Sequence, residues 1–370
     1  LVSRSSSRPS AGNGATSAMY LRRRRHGCRA SLVQADGFDV VVLEHAALRV
    51  AVIPARGAEI VELRDKRSDV DVLGRTPWPV RNASTQPAWT PDPGAAFLDG
   101  YGGGWQEMFP SCGDPSEWAG TTLGVHGEVT TLPWNWRIER EDDDVVSVVF
   151  DVETNRTPFR LTRRMTLHEG SRVLHVDERV TSLATEPLQV MWGHHPCFGA
   201  PFLEPGCHIE TDAATIVTSA RHHDPAMRLA PDRRSSWPHA IALDGGTVDL
   251  SHVPGPDARR HDWAYLTDFT SGWIALRRPA GGLGVALSWS KDVMPYLLMW
   301  QNFAGARSAP WFGRAYLLGL EPMSTFPASV EHGDALIDIA PGEERRFRLT
   351  ATLFDGIAPV RAVDAHGVVA

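Results

Sequence analysis

Apolar and polar residues alternate along much of this chain with a period of two, the pattern of β-strands whose two faces meet different surroundings. Residues 145–153 (VVSVVFDVE), 159–170 (FRLTRRMTLHEG) and 172–182 (RVLHVDERVTS) follow this alternation for most of their length. Residues 39–44 (DVVVLE) and 48–54 (LRVAVIP) are shorter β-branched runs separated by polar residues. The pattern predicts a strand at each of these positions.

A hairpin is predicted over residues 272–289, where two apolar runs flank the turn sequence PAGG (279–282). Residues 345–354 (RRFRLTATLF) predict a further strand, whereas helical periodicity is scarce. The 33 glycines and 27 prolines suit many turns. No internal period of about 20 to 50 residues indicates a propeller or a solenoid. Many strands with turn signals and no long helix predict an all-β sandwich.

The distribution of charge predicts the domain organisation. Residues 1–35 contain no acidic residue and carry the runs SRSSSRPSAGNGATS and LRRRRHGCR, a composition that does not build a core. We expect this segment to be disordered or spurious, either an Arg- and Ser-rich transit peptide or an extension translated from a misplaced start codon. Residues 36–357 are expected to form a single large β domain, and residues 358–370 a C-terminal tail.

Composition excludes several classes of protein. The 370 residues are 42% hydrophobic and carry a net charge of −7, which argues against a nucleic-acid surface because that needs a concentrated basic stripe. No apolar run approaches the roughly 20 residues of a membrane span. Cys28, Cys112, Cys197 and Cys207 form no CxxC pair. We therefore expect reduced thiols in a cytoplasmic protein, without a structural zinc site or a disulfide framework.

Four stretches are too polar to be plain strands: 102–115 (GGGWQEMFPSCGDP), 123–136 (LGVHGEVTTLPWNW), 191–202 (MWGHHPCFGAPF) and 316–327 (YLLGLEPMSTFP). They contain His126, His194, His195 and Glu321. Successive residues of a strand face opposite sides, so at most one of the two adjacent histidines is expected to face a given cleft. Glu321 ends an apolar run, so it lies either at the surface or in a desolvated position, where a raised pKa would make it a better general base.

Other kinds of chemistry find little support. The same four residues could ligate zinc, but the close HxxxH or HxH spacing of zinc ligands is missing. GxSxG, the motif of many serine hydrolases, and GxGxxG, the motif of dinucleotide-binding folds, are both absent. Together with the missing zinc spacing, this leads us to predict no metal and no cofactor. The chain has 13 tryptophans against five tyrosines. A Trp-rich cleft suits the C–H face of a sugar, although large aromatic residues usually serve packing. Trp105, Trp192 and Trp300 lie nearest these stretches.

Taken together and in order, these stretches resemble the aldose 1-epimerase (galactose mutarotase-like) superfamily in its divergent branches. GGWQEMFPSCGD resembles the family's GG…FP…G loop, and VHGEVTTLPW its HG…PW segment. GHHPCFGAPF resembles the stretch with the catalytic histidine, and GLEPMS the stretch with the catalytic glutamate. HDWAYL is a weaker match to a D-x-x-Y motif. The resemblance spans residues 38–356 and implies a β-supersandwich with an open sugar cleft.

The resemblance also implies an activity and the residues that carry it. The protein would be a mutarotase that interconverts the α and β anomers of a sugar by ring opening, with His195 as general acid and Glu321 as general base. His194 would face away from the cleft or support it from behind. The sugar would be bound by His126, Asp262, Arg56, Gln106 and Trp105.

Departures from the family pattern leave the substrate open. Where the phosphosugar branch has an Arg beside the Gly-rich loop, this chain has Trp105, Gln106 and Glu107. Because Glu107 would repel a phosphate, we favour a neutral sugar. Two alternatives stay open: a carbohydrate-binding protein without catalysis, and a lyase or hydrolase acting on a modified sugar in the same cleft. The expected partner is a small-molecule sugar, with no nucleic acid and no membrane, and the protein is expected to be a monomer or a homodimer.

Overall fold

The computed structural model describes residues 27–81, 93–220, 224–326, 336–356 and 358–370. In this part of the chain nearly all regular structure is β, with one α-helix, α1 (Pro93–Leu98), and one 3-10 turn (Pro256–Ala258). Neither of these helical segments has the length or the apolarity to cross a membrane. The all-β fold class predicted from the alternation is confirmed.

The strands follow one another in chain order. They are β1 (Arg29–Ala35), β2 (Phe38–Glu44), β3 (Leu48–Ile53), β4 (Glu59–Asp65), β5 (Val70–Asp71), β6 (Trp105–Met108), β7 (Ser116–Trp118), β8 (Thr121–Leu123), β9 (Asn135–Glu141), β10 (Val145–Glu153), β11 (Phe159–His168), β12 (Val173–Ser182), β13 (Leu188–Val190), β14 (Gly193–Gly199), β15 (His208–Thr218), β16 (Arg234–Ser236), β17 (His239–Ile241), β18 (Thr247–Asp249), β19 (Arg260–Arg277), β20 (Leu283–Trp289), β21 (Tyr296–Phe303), β22 (Tyr316–Met323), β23 (Ile337–Ile339) and β24 (Glu344–Asp355).

Most of these strands belong to one sheet of 18 strands. Its antiparallel ladders run in the order β1–β2–β3–β4–β6–β14–β22–β21–β19–β20–β24–β12–β11–β10–β9. Strands β1 and β9, at the two ends of this order, approach each other. The sheet is therefore nearly closed, and its interior is filled by apolar side chains.

The predicted strands are confirmed. The runs with alternating or β-branched residues form β2, β3, β10, β11 and β12, the hairpin around PAGG is β19 with β20, and the last run is β24. In β11 every second side chain from Phe159 to Leu167 is buried, and the residues between them are less buried. The period of two in the sequence thus reports which face of the strand meets the core.

Folded residues lie beyond both expected ends of the domain. Strand β1 lies inside the segment expected to be disordered or spurious, yet it pairs with β2 along its whole length, and Cys28 before it is buried. The composition of this segment gave no sign of β1, because the strand buries little of its own surface and needs few apolar residues. At the other end, Val360 and Val363 of the expected tail are buried against Trp273 and Phe354. Residues 1–26 lie outside the described residues.

Two apolar clusters lie on opposite faces of the central strands. The larger one contains Phe198 and Leu318, whereas the other contains Cys197, Leu317 and Trp300. Adjacent residues of one strand therefore fall into different clusters, as alternation requires. We name the face of β6, β14, β21 and β22 that carries Cys197, Leu317 and Trp300 the site face, and the opposite face the core face.

Candidate active site

One row of polar side chains crosses the site face on adjacent strands. Gln106 of β6 is the cross-strand partner of His195 of β14. The register of β14 against β22 places Glu321 opposite His195, and the register of β4 against β6 places Glu59 opposite Gln106. Directly opposed residues of antiparallel strands share a face. The fold therefore aligns Glu59, Gln106, His195 and Glu321, which lie far apart in the sequence.

His195 and Glu321 form the centre of this row. Nε2 of His195 lies 3.4 Å from Oε1 of Glu321, and both side chains are buried. Within the described residues, neither oxygen of Glu321 has a hydrogen-bond partner, and neither does Nδ1 of His195. Buried polar atoms in proteins are nearly always hydrogen-bonded, so exceptions call for a functional explanation. The predicted acid and base thus face each other with their reactive atoms unsatisfied.

Aromatic rings enclose the His195 ring. Its centroid lies 5.0 Å from that of His126, 5.6 Å from that of Tyr101 and 5.9 Å from that of Trp300. Phe97 of α1 lies 6.5 Å from it and also meets His126 edge-on at 4.6 Å. These rings keep bulk water away from the imidazole, and in such a low-dielectric environment every charge interaction is strengthened.

Burial shifts the pKa values of the two central groups in opposite directions. Desolvation lowers the pKa of His195 from 6.5 to about 4, and it raises the pKa of Glu321 well above its ordinary value of 4.5. In both groups the charged form is the one that burial disfavours. The site therefore favours a neutral pair, an imidazole beside a protonated carboxyl group.

His126 approaches the pair from a tight turn. Its backbone φ is +62°, which is uncommon for a residue other than glycine and is often found at functional sites. The backbone N–H of Gly113 donates to Nδ1 of His126 at 3.2 Å. Because Nδ1 accepts this bond, the ring is neutral and carries its proton on Nε2. Burial lowers the pKa of His126 well below 6.5, with a smaller contribution from His195.

Arg56, Glu59 and Gln106 form a second polar group at the edge of the pair. Nη2 of Arg56 lies 3.1 Å from Oε2 of Glu59, and Nε2 of Gln106 donates to Oε1 of Glu59 at 2.8 Å. Burial raises the pKa of Glu59, while Arg56 and Gln106 oppose this shift. Nη1 of Arg56 and Oε1 of Gln106 have no hydrogen-bond partner in the described part of the chain. The group thus offers both a donor and an acceptor to a ligand.

Two predicted sugar contacts, Trp105 and Asp262, are not on the site face. Trp105 lies on the core face, where its Nε1 donates to Nδ1 of His194 at 3.2 Å. Both carboxylate oxygens of Asp262 accept bonds from Arg228, at 2.7 Å from its Nε and at 2.8 Å from its backbone N–H. Since the cross-strand partner of Asp262 is Gln301, the residue after Trp300, alternation turns Asp262 away from the site face.

The position of Glu107 corrects the argument about phosphate. Glu107 lies on the core face, forms an ion pair with Arg163 and accepts a hydrogen bond from Nε1 of Trp192 at 2.9 Å. It therefore does not meet a ligand beside His195. The acidic residues of the site-face row are Glu321, opposite His195, and Glu59, which lies beyond Gln106.

Several residues of the site face carry only weak sequence signals. Glu59 is the acidic residue that begins β4, and Tyr101 precedes the Gly-rich loop, so each lies beside a feature that is visible in the sequence. Phe97 gives no such signal, whereas His261 begins the HDWAYL stretch, in which the resemblance pointed to Asp262 instead. Nε1 of Trp300 donates to Nε2 of His261 at 3.0 Å, which holds the Trp300 ring beside His195.

The zinc alternative does not fit the placement of its residues. His194 lies on the core face, where its Nε2 is 2.8 Å from Oε2 of Glu178, so it is separated by the sheet from His195 and Glu321. In the described ranges, no group of three or more His, Cys, Asp or Glu residues has the arrangement needed to hold a metal ion.

Comparisons with known proteins agree with this fold. The family model described as "Domain of unknown function (DUF4432)" matches residues 35–353, and no curated protein matches the chain. A structure from Klebsiella pneumoniae, named as a candidate aldose 1-epimerase, superposes with a TM-score of 0.68 at 15% identity over 91% of this chain and 90% of that chain. A galactose mutarotase-like protein from Clostridium acetobutylicum gives a TM-score of 0.60 at 14% identity over 90% of this chain and 100% of that chain.

A galactose mutarotase-like protein from Lactobacillus casei gives a TM-score of 0.58 at 17% identity over 85% of this chain and 100% of that chain. Sequence identities this low show that the fold is shared, but they are not evidence that the activity is shared. The chain belongs to the family described as a domain of unknown function (DUF4432), and it shares its fold with galactose mutarotase-like structures.

Proposed function

We propose that this protein is a mutarotase that interconverts the α and β anomers of a sugar, with His195 and Glu321 as its acid–base pair. The observation that carries this proposal is the 3.4 Å approach of His195 Nε2 to Glu321 Oε1, between two buried groups with unsatisfied polar atoms. Ring opening needs one proton removed from the C1 hydroxyl and one added to the ring oxygen. Two such groups on one side of a sugar supply both transfers without a cofactor.

The two proton transfers conserve the charge of the pair. With Glu321 ionised and His195 protonated, the carboxylate takes the proton of the C1 hydroxyl while the imidazolium protonates the ring oxygen. The bond between C1 and the ring oxygen breaks and leaves an open-chain aldehyde beside a neutral carboxyl and a neutral imidazole. After rotation about the bond from C1 to C2, the same two groups act in reverse and close the ring as the other anomer.

Burial stabilises one of these two protonation states. The neutral pair accompanies the open-chain aldehyde, and it is the state that the lowered pKa of His195 and the raised pKa of Glu321 favour. The ionised pair accompanies the cyclic sugar, whose hydroxyl groups would help to solvate it. A site that favours the neutral pair therefore lowers the energy of the ring-opened species relative to the cyclic one.

An uncharged sugar suits the charges on the site face. Arg56 supplies the guanidinium beside this polar row, and its Nη2 already lies 3.1 Å from the carboxylate of Glu59. A phosphate would therefore meet Glu59 and Glu321 against a single arginine. Arg56, Gln106 and His126 would bind hydroxyl groups, and the Trp300 ring would pack on the C–H face of the sugar.

Exchange spectroscopy tests the proposal directly. Saturation transfer between the anomeric protons is measured by NMR across free hexoses and pentoses, with uronic acids and sugar phosphates beside them. We expect acceleration for at least one uncharged sugar. Saturation of sugar protons without faster exchange would instead indicate a binding protein, and the appearance of new products would indicate a lyase or a hydrolase. Either result would overturn the proposal.

Activity is expected to follow a broad, bell-shaped pH profile. The pair works only while it holds one shared proton. Acid adds a second proton as the pH falls through the lowered pKa of His195, about 4. Base removes the shared proton as the pH rises through the raised pKa of Glu321. The two limbs belong to the coupled pair. Polarimetric kcat/KM values, corrected for buffer catalysis at each pH, should show a plateau through neutral pH; a midpoint near 6.5 would contradict a desolvated histidine.

Replacing Gly319 by alanine is expected to displace the Glu321 carboxyl group. A Cβ at this position would overlap Oε1 of Glu321 and lie 3.3 Å from Cβ of Trp300. The carboxyl group can move away, so the fold should survive while anomer exchange falls by about 100-fold through misplacement of the base. Gly255→Ala is the matched control, because its Cβ would lie 3.5 Å from Pro205. An unchanged rate in Gly319→Ala would show that the carboxyl position is not critical.

A further inference from the structure

A fully buried ionic network lies behind the active-site row, on the core face of the same strands. Nε of Arg163 donates to Oε1 of Glu178 at 2.6 Å, and Nη2 of Arg163 donates to Oε2 of Glu107. The other oxygen of Glu178, Oε2, lies 2.8 Å from Nε2 of His194. All four side chains are buried. The proposed acid–base chemistry uses none of them directly.

The hydrogen bonds within this network fix its charges. Nδ1 of His194 accepts a bond from Nε1 of Trp105 at 3.2 Å, so the proton of this ring is on Nε2, where it is donated to Glu178. The imidazole is therefore neutral, and among the described residues Arg163 is the cation that pairs with both Glu107 and Glu178. A buried network of this kind is costly to desolvate and is weak evidence for stability.

Each contact of the network involves a residue that is adjacent in sequence to a residue of the active-site row. Nη1 of Arg163 donates to the backbone oxygen of Ala58 at 2.8 Å, and Ala58 precedes Glu59. The partner Glu107 follows Gln106. His194, held through Glu178, precedes His195.

Glu107 and His194 lie in strands, where adjacent residues face opposite sides, so a group that fixes either of them on the core face also fixes its neighbour on the site face. The bond to the backbone oxygen of Ala58 instead holds the turn that leads into Glu59. We infer that Arg163 is a positioning residue, which sets the register of β4, β6 and β14 so that Glu59, Gln106 and His195 meet the substrate in one row. This inference rests on the proposed function for its catalytic consequence.

The planar guanidinium is suited to this task because it presents donors in fixed directions. It bonds Glu107, Glu178 and the Ala58 carbonyl at once. A lysine would keep the positive charge but lose the rigid, planar arrangement of several N–H donors. Its face also lies 5.0 Å from the ring centroid of Trp134, which restricts its rotation. Small errors in the placement of reacting groups cost about 100-fold in rate, so the loss of a single fixed donor is expected to be measurable in turnover.

The test compares Arg163→Lys and Glu107→Gln with Arg164→Met, a change of the adjacent, exposed arginine that pairs with Glu139. We measure kcat, KM and melting temperature, and assay well below each melting point. A positioning role predicts that kcat falls about 10- to 100-fold in both network variants with KM within about twofold, while Arg164→Met keeps the wild-type kcat. A lower melting temperature with unchanged kcat would overturn the inference and leave Arg163 a structural role only.

A second readout separates this inference from the proposed function. The 1H–15N spectrum of the His195 ring, assigned with His195→Asn, reports the ring's environment without any turnover. We expect it to change in Arg163→Lys and Glu107→Gln and to stay unchanged in Arg164→Met. If wild type accelerates no anomer exchange, the proposed function fails while these spectra still test positioning. If the His195 signals of both folded network variants match wild type, the positioning inference fails.

Discussion

The Glu321→Gln variant is expected to lose anomer exchange and to unfold at a higher temperature than wild type. A glutamine amide does not accept the proton of the C1 hydroxyl, so the base step is lost while the shape of the side chain is kept. A positioned general base typically contributes about 100- to 10,000-fold. We therefore expect exchange to fall close to the rate in buffer alone.

The gain in stability follows from the burial of the carboxyl group. Neither oxygen of Glu321 has a hydrogen-bond partner in the described structure, and its pKa in the folded state is raised well above 4.5. The folded state therefore holds the proton more tightly than the unfolded chain, so stability is lost as the pH rises above the ordinary pKa of glutamate. A neutral amide does not ionise and so avoids this pH-linked loss, which amounts to about 1.4 kcal/mol for each unit by which the pKa is raised.

The measurement combines anomer exchange by NMR with thermal unfolding at about pH 5 and about pH 8. The melting temperature of Glu321→Gln should exceed that of wild type by a larger margin at the higher pH. Glu153→Gln is the control, because Glu153 is an exposed residue paired with Arg160, and such surface changes are usually close to neutral. A Glu321→Gln variant that retains most of the exchange rate would exclude Glu321 as the base.

The strands were predictable because their signal is local. Strands β11 and β12 pack one face against the interior, so the alternation of apolar and polar residues along each strand already indicates which residues are buried. Strand β1 shows the limit of this signal. It buries little of its own surface, and it exists because every residue from Arg29 to Ala35 pairs with β2. Pairing partners are not visible in the composition of a single segment.

The site was predictable in part, and the errors have one physical cause. The resemblance identified the strands that carry His195 and Glu321, and the register places these two residues opposite each other. A sequence motif does not indicate, however, which residues of its strand face the site and which face the opposite side. Trp105 and Asp262 occupy the right strands but face away from the row, and the same error of phase placed Glu107 beside a ligand. Register across strands, rather than sequence proximity, decides which side chains meet.

His195→Asn and His194→Asn are expected to fail in opposite ways, although the two residues are adjacent. His195 lies on the site face, where its Nδ1 has no hydrogen-bond partner among the described residues. Its replacement removes the acid, so exchange should fall by about 100- to 10,000-fold. The melting temperature should change little, because burial already disfavours the charged form of this imidazole.

His194→Asn is expected to lower stability instead. The ring of His194 accepts a bond from Trp105 and faces Glu178 at 2.8 Å, and a shorter asparagine does not reach both. The carboxylate of Glu178 would then be left partly unsatisfied in the interior, which costs about 1–3 kcal/mol or more for a charged group. Because His194 also belongs to the network behind the row, a moderate loss of exchange should accompany this cost.

Both variants are compared in the same two measurements, exchange rate per folded protein and melting temperature. His252→Asn serves as the control, since His252 is an exposed histidine beside Asp249. We expect the larger loss of exchange rate in His195→Asn and the larger decrease in melting temperature in His194→Asn. The reverse order would mean that His194 is the acid, which would require β14 to present its other face to the substrate and would shift the whole row by one residue. The adjacent histidines thus test the register of the strand as well as the identity of the acid.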